Sequence, residues 1–239
     1  LDYIDWLRSS CKTAWGKPVS PKTAHSYYTT LRTALNEAVR ENLIASNPWY
    51  RLEMTEKIKV PESKRDFLTI EEIRKMMATP FFNEQVRQAY LFSCFCGLRI
   101  SDIRKLRWRD LSMSGGQWRV SVVMTKTTNP VYIPLSFQAV KWLPERGDCM
   151  PDDLVFGGLP NEGNLCANLK SWAEKAGVKK NVTFHTARHS CAVLLLTLGA
   201  DIYTVSKILG HRSVRATQVY AKIVDRKKDD AIALVDNAF

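Results

Sequence analysis

Residues 183–220, TFHTARHSCAVLLLTLGADIYTVSKILGHRSVRATQVY, line up His185, Arg188, His211 and Tyr220 between helix-start and helix-stop signals. Thr183 or a neighbour can cap a helix, and His185 and Arg188, three apart, then share a face and can reach one anionic group such as a phosphate. Val193, Leu194, Leu195, Leu196 and Leu198 make that helix a core element. Gly199 stops it and Asp201 caps the next, whose buried stripe is Ile202, Val205, Ile208 and Leu209. Gly210 ends that second helix, His211 opens a loop, and Ser213 starts a third helix carrying Tyr220 on its exposed side. His189 follows Arg188 directly and so points about 100° away around the helix, which reads as a structural histidine.

Charge extends this reading. The 239 residues hold 35 Lys and Arg against 24 Asp and Glu, a net +11, with +3 over 1–61 and +8 over 62–239. A basic excess spread over both parts suits an acidic polymer, with nucleic acid the first candidate, and a basic tail does not account for it. No apolar run approaches the roughly 20 residues of a membrane span. The opening LDYIDWLRSS lacks the pattern of a secretion signal, so the expected location is cytoplasmic. Six cysteines form no C-x-x-C pair and read as reduced thiols, which implies neither zinc nor disulfides.

Outward from the C-terminal run, the pattern is mainly α with a small antiparallel β-sheet, an α+β fold in two parts. LDYIDWLRSSCKTAW reads as a short helix and PKTAHSYYTTLRTALNEAVRENL as a longer one, with Tyr28, Leu31, Leu35 and Val39 in its stripe; ASNPW stops it. The charged, aperiodic stretch from about residue 51 to 65 reads as a linker, giving a helical domain over 1–60 and a second over 61–239 that starts near Asp66. Thr69 and Glu72 form a capping box for a helix through Met77. A further helix runs from about Asn83 to Gly97. Trp118, Val120 and Val122 alternate, TKTTNP turns, and VYIPL resumes as a strand. Residues 136–180 return to helix and loop.

CGLRISDIRKLRW, TKTTNPVYIPL, HTARHS, LGH and Tyr220 occur in the order and rough spacing of the tyrosine recombinase (phage integrase) family, which the chain resembles over residues 66–220 and more loosely before them. The resemblance implies Arg99 as the first arginine, Lys126 as the β-hairpin lysine, His185 and Arg188 as the H-x-x-R pair, His211 as the late histidine and Tyr220 as the nucleophile. All six positions are filled. Ala187 departs from the pattern, where the family usually carries a larger apolar residue. Residues 1–60 resemble the later helices of a core DNA-binding domain, and the first helices and any arm-binding domain are expected to be missing. The features look most like integrases of bacterial mobile elements, such as conjugative transposons.

The residues suit that chemistry on their own terms. A phosphodiester under attack gains charge on its non-bridging oxygens, and two arginines, Arg99 and Arg188, offer forked, permanently charged donors. A free phenol ionises near pH ~10, so Tyr220 needs electrostatic help or a proton acceptor. Lys126 on a hairpin tip suits protonation of the leaving sugar oxygen, and His211 suits donation to a phosphate oxygen. Asp102, three residues after Arg99, is expected to orient Arg99 or a histidine. No clustered carboxylates suggest a two-metal site, and no cofactor is expected. The family implies a 3′-phosphotyrosine intermediate on double-stranded DNA, a homotetramer on DNA, host or element accessory proteins, a nucleoid-associated location and no membrane. It also implies that residues 226–239 dock on a neighbouring subunit. The alternatives are a type IB topoisomerase, which reseals the same strand, and a non-catalytic DNA-binding protein on the same fold.

Overall fold

The computed structural model describes residues 2–59, 65–126, 128 and 130–221. Two compact units divide the chain, Leu1–Lys64 and Arg65–Phe239. The expected docking segment 226–239 lies outside the described residues.

In the first unit, α1 (Asp2–Ser9) carries Asp2 and Asp5 in its first turn and Arg8 in its last, matching the helix dipole. It does not continue through CKTAW, as the sequence suggested. Lys12 instead pairs with Pro18 across a turn in which Gly16 adopts φ 73°. Ser20 caps α2 (Pro21–Arg40) by accepting from the Thr23 amide at 3.1 Å. Ala24 and Tyr28 pack with Ile4, Leu7 and Cys11, and the Tyr28 ring stands 3.7 Å from that of Trp49. Of the expected stripe only Tyr28 is fully buried, since Leu31 is exposed and Leu35 and Val39 are half-buried.

The second unit is mainly helical around a three-stranded sheet. Thr69 and Glu72 exchange side chain-to-backbone bonds to open α3 (Ile70–Ala78). Asn83 caps α4 (Glu84–Cys96), whose C-cap is Gly97. After the single turn α5 (Ile100–Ile103) come β1 (Leu111–Ser114), β2 (Gln117–Val123) and β3 (Pro130–Pro134), antiparallel in the order β1-β2-β3. The sequence reading missed β1, a short strand of which only Leu111 is buried. Gly115 and Gly116, both at positive φ, turn it into β2, with Leu111 opposite Val120 and Val120 opposite Ile133. Then follow α6 (Phe137–Lys141), α7 (Glu162–Lys175), α8 (Phe184–Thr197), α9 (Ile202–Ile208) and α10 (Arg215–Ala221).

The apolar α4 and α8 form the centre of this unit. Tyr90 sets its ring edge-on to both Trp172 and Phe184, and Trp172 donates to the Thr79 carbonyl at 2.9 Å. Cys94, Cys96 and Cys191 are buried here, and burial pushes their thiols up, as for inert core cysteines. A smaller cluster of Ala192, Val193, Leu196, Val205, Leu209 and Tyr220 joins α8 to α9 and α10. Among the described residues, no helix is long and apolar enough to cross a membrane.

Candidate active site

Arg188 is the hub of the site. It is only 4% exposed, donates from Nη1 to the Gly97 carbonyl at 2.7 Å and from Nη2 to the Leu209 carbonyl. Those carbonyls end α4 and α9, where the last C=O groups lack helical partners and the dipole favours a cation. One buried guanidinium thus ties together the loops that begin with Arg99 and with His211. Burial, and next the charge of Arg99, lower the Arg188 pKa to about 10, which leaves it cationic at neutral pH.

Two glycines bring the loops this close. A Cβ on Gly97 would lie 2.7 Å from Leu209 Cδ2, and one on Gly210 would lie 2.9 Å from Val131 Cγ2 and 3.0 Å from Met124 Cε. Both adopt positive φ, 75° and 59°, so each stops its helix and lets its neighbour approach. The end of α9 is thereby seated on the β2–β3 hairpin.

Arg99 is the N-cap of α5 and lays Nη1 3.1 Å from Met124 Sδ at the base of that hairpin. Lys126 is exposed two residues further on, in the connection between β2 and β3. Asp102 departs from expectation. Its Oδ1 accepts from the Thr125 amide at 2.8 Å, so its bond holds the hairpin rather than Arg99 or a histidine. The reason is local: Arg99 has extended backbone angles, φ −75° and ψ 156°, and the one-face geometry of residues three apart does not apply. Asp102 Oδ2 is buried with no hydrogen-bond partner among the described residues.

Tyr220 is 1% exposed, which corrects its expected place on the outer side of α10. The helix carries few apolar residues, yet Thr217 and Tyr220, three apart, both turn inward, Thr217 being wholly buried. The phenol oxygen lies 2.6 Å from His189 Nδ1 and accepts from Arg65 Nη1 at 3.2 Å. His189 is therefore not merely structural. The rotation that carries it off the Arg188 face aims it at the side on which α10 packs. Its pKa falls to about 4, through burial first and then the charges of Arg65, His185 and Arg188. Arginine can only donate, so the phenol oxygen accepts from Arg65, while His189 Nδ1 closes its other side.

His211, half-buried, is held through Nδ1 by the hydroxyl of Thr217 at 2.7 Å, which links the LGH loop to the helix that carries Tyr220. Its pKa also falls to about 4, by burial and then by Arg188, Arg99, Arg65 and His189. The Thr217 hydroxyl engages Nδ1, which leaves Nε2 as the ring nitrogen to meet an incoming oxygen. His185 stays exposed, its ring 6.4 Å from that of His189.

The phage integrase family profile matches residues 66–227, and that of the phage integrase SAM-like domain matches residues 1–59. The chain belongs to the phage integrase family. A tyrosine recombinase of Pseudothermotoga lettingae is 30% identical over 211 residues, covering 85% of this chain and 71% of the relative. Among solved structures, the XerH site-specific recombinase on palindromic difH substrate, a post-cleavage complex, superposes with TM-score 0.73 at 20% identity, over 98% of this chain and 71% of that one. The Tn1549 transposon integrase in complex with circular intermediate DNA gives TM-score 0.67 at 18% identity, over 92% and 79%. At those identities the likeness is one of fold.

This tyrosine recombinase is thus a site-specific enzyme that transfers DNA strands. Arg188 lies within electrostatic reach of Arg99, His211 and Tyr220, and His189 within reach of His185 and Arg188. Lys126 stands on the adjoining hairpin. The sequence reading missed two residues that touch Tyr220, His189 and Arg65. His189 lay within the quoted HTARHS motif, so its signal was present and set aside. Arg65 sat in a charge run read as linker, and nothing local distinguished it. Among the described residues, no group of three or more His, Cys, Asp or Glu side chains could hold a metal ion.

Proposed function

We propose that Tyr220 of this recombinase attacks a phosphate of double-stranded DNA, forming a 3′-phosphotyrosine and releasing a 5′-hydroxyl, and that a second 5′-hydroxyl reverses the step on a new strand. The observation that carries the proposal is the pair of bonds from Arg188 to the carbonyls of Gly97 and Leu209. They fix Arg99 and His211 around one charged centre beside the buried phenol. Arg99 and Arg188 bind the non-bridging oxygens, His185 and His211 add neutral or charged donors, and Lys126 protonates the leaving 5′-oxygen. The phosphotyrosine keeps the bond energy, so no nucleotide cofactor is consumed. Asp102 supports the clamp indirectly, by holding the base of the hairpin and by its negative charge near Arg188.

Residues 1–60, matching a SAM-like domain, serve as a second DNA-gripping part, and the catalytic part spans 61–239. Working assemblies are homotetramers on DNA. Family membership favours exchange between two duplexes over the same-strand resealing of a type IB topoisomerase, and the filled set of site residues favours catalysis over binding alone. The test uses randomised duplexes with a bridging sulfur at the 5′ leaving position, which traps the cleaved state. Wild type should form a covalent protein–DNA adduct attached at Tyr220, and Tyr220→Phe should form none while binding within a few-fold of wild type. An adduct persisting in that variant would remove Tyr220 as nucleophile.

A further inference from the structure

A nucleophile that is 1% exposed cannot touch a phosphate where it stands. Its oxygen is enclosed from two sides, by His189 Nδ1 at 2.6 Å and Arg65 Nη1 at 3.2 Å. The Arg65 guanidinium also lies over the Tyr220 ring, 5.5 Å from its centroid. Of these two neighbours, Arg65 is the one an arriving anion can draw away. It is permanently charged, whereas burial keeps His189 neutral at physiological pH. Arg65 is only half-buried, at the start of the second unit, and its charge is felt by both His189 and His211. It therefore stands with Arg99 and Arg188 around the place where a phosphate is expected, bound to a phenol that is a far weaker acceptor than a phosphate oxygen.

We propose that Arg65 is a positioning residue for Tyr220 and a third arginine of the phosphate site. In the DNA-free protein it and His189 clasp the phenol; when DNA binds, its guanidinium passes from the phenol oxygen to a phosphate oxygen and frees the nucleophile. No bond to hydrogen breaks in this exchange. Arg65 donates throughout, first to one oxygen and then to the other. The inference rests on the strand-transfer reading above.

The test pairs Arg65→Gln and Arg65→Met, which both remove the charge; Gln keeps a donor and Met keeps a stem against the ring. In the free protein, thermal melting of Arg65→Met, Tyr220→Phe and the double variant should be non-additive, because each single change removes the same bond. On DNA, the slope of log affinity against log salt should become shallower by about 1 in both Arg65 variants, the signature of one lost phosphate contact. Adduct formation at saturating DNA should slow by on the order of 100-fold, as for loss of one donor to developing charge. Arg65→Lys should keep the wild-type slope. A merely structural Arg65 would change melting and leave the salt slope untouched, which would overturn the inference, as would additive melting of the Arg65 and Tyr220 variants. If wild type itself forms no adduct, the strand-transfer reading fails instead.

Discussion

A Cβ on Gly97 would lie 2.7 Å from Leu209 Cδ2, with Cys191 Sγ a further 3.3 Å contact. Leu209 and Cys191 are wholly buried, so neither has room to retreat. Gly97 also has φ 75°, where a side chain is strained whatever the space. Gly97→Ala should therefore destabilise the recombinase by about 2–4 kcal/mol, combining the backbone and overpacking costs. Urea denaturation measures this, and a midpoint equal to wild type would show that α9 can move away freely.

Arg188→Lys should damage the enzyme twice. An ammonium cannot serve both helix-end carbonyls in a fork, so one buried acceptor loses its partner, at about 1–3 kcal/mol of stability. Loss of the phosphate contact proposed for Arg188 should raise the cleavage barrier by about 2–4 kcal/mol. Arg99 lies on Met124 Sδ and, among the described residues, makes no such bond to a helix end, so Arg99→Lys should lose comparable cleavage with less loss of stability. Single-turnover adduct formation and denaturation, measured on the same preparations, separate the two. Equal stability of both variants would contradict the structural role of Arg188.

His189 and His211 are held near pKa 4, below the ordinary histidine value, mainly by burial. Between pH about 6.5 and 4 the unfolded chain binds protons at these positions and the folded chain does not. Stability contributed by the neutral rings is thus present above about 6.5 and declines as the pH falls towards 4. Replacing both histidines with Gln should flatten the melting temperature across this window relative to wild type. An unchanged slope would place the acid sensitivity elsewhere.

The local signals were legible because their partners are neighbours in sequence. Thr69 with Glu72, Asn83 with Val86 and Asp201 with Thr204 all bond within three residues, as their caps require. Gly97 and Gly210 were readable as helix stops, but their second task, admitting Leu209 and the hairpin, depends on the tertiary approach of elements far apart in the chain. The same limit hid the surroundings of Tyr220. His189 meets Tyr220 across 31 residues and Arg65 meets it across 155, and no periodicity encodes either contact. The Asp102 bond to Thr125 was not legible, because spacing of three was read as helical where the N-cap Arg99 has not yet entered the helix and the partner lies 23 residues on. Family motifs supplied the identities of the six expected site residues, while geometry supplied what each of the buried ones leans on.

Lys126 is an expected site residue whose proposed role depends on reach rather than on a fixed bond. It is exposed beyond β2, and the base of its hairpin is fixed on both sides, by Asp102 at Thr125 and by Gly210 packing on Met124 and Val131. Such a lysine can follow a leaving oxygen while its backbone stays anchored, which suits a general acid. A 5′-sulfur leaving group has a conjugate acid strong enough to depart without a proton. Lys126→Ala should therefore lose cleavage on an ordinary duplex yet recover near wild-type adduct formation on one with a bridging 5′-sulfur. Arg188→Lys should show no such recovery, because its loss concerns the non-bridging oxygens. Failure of the sulfur substrate to rescue Lys126→Ala would move the acid to His185 or His211, the remaining groups on that side able to carry a proton.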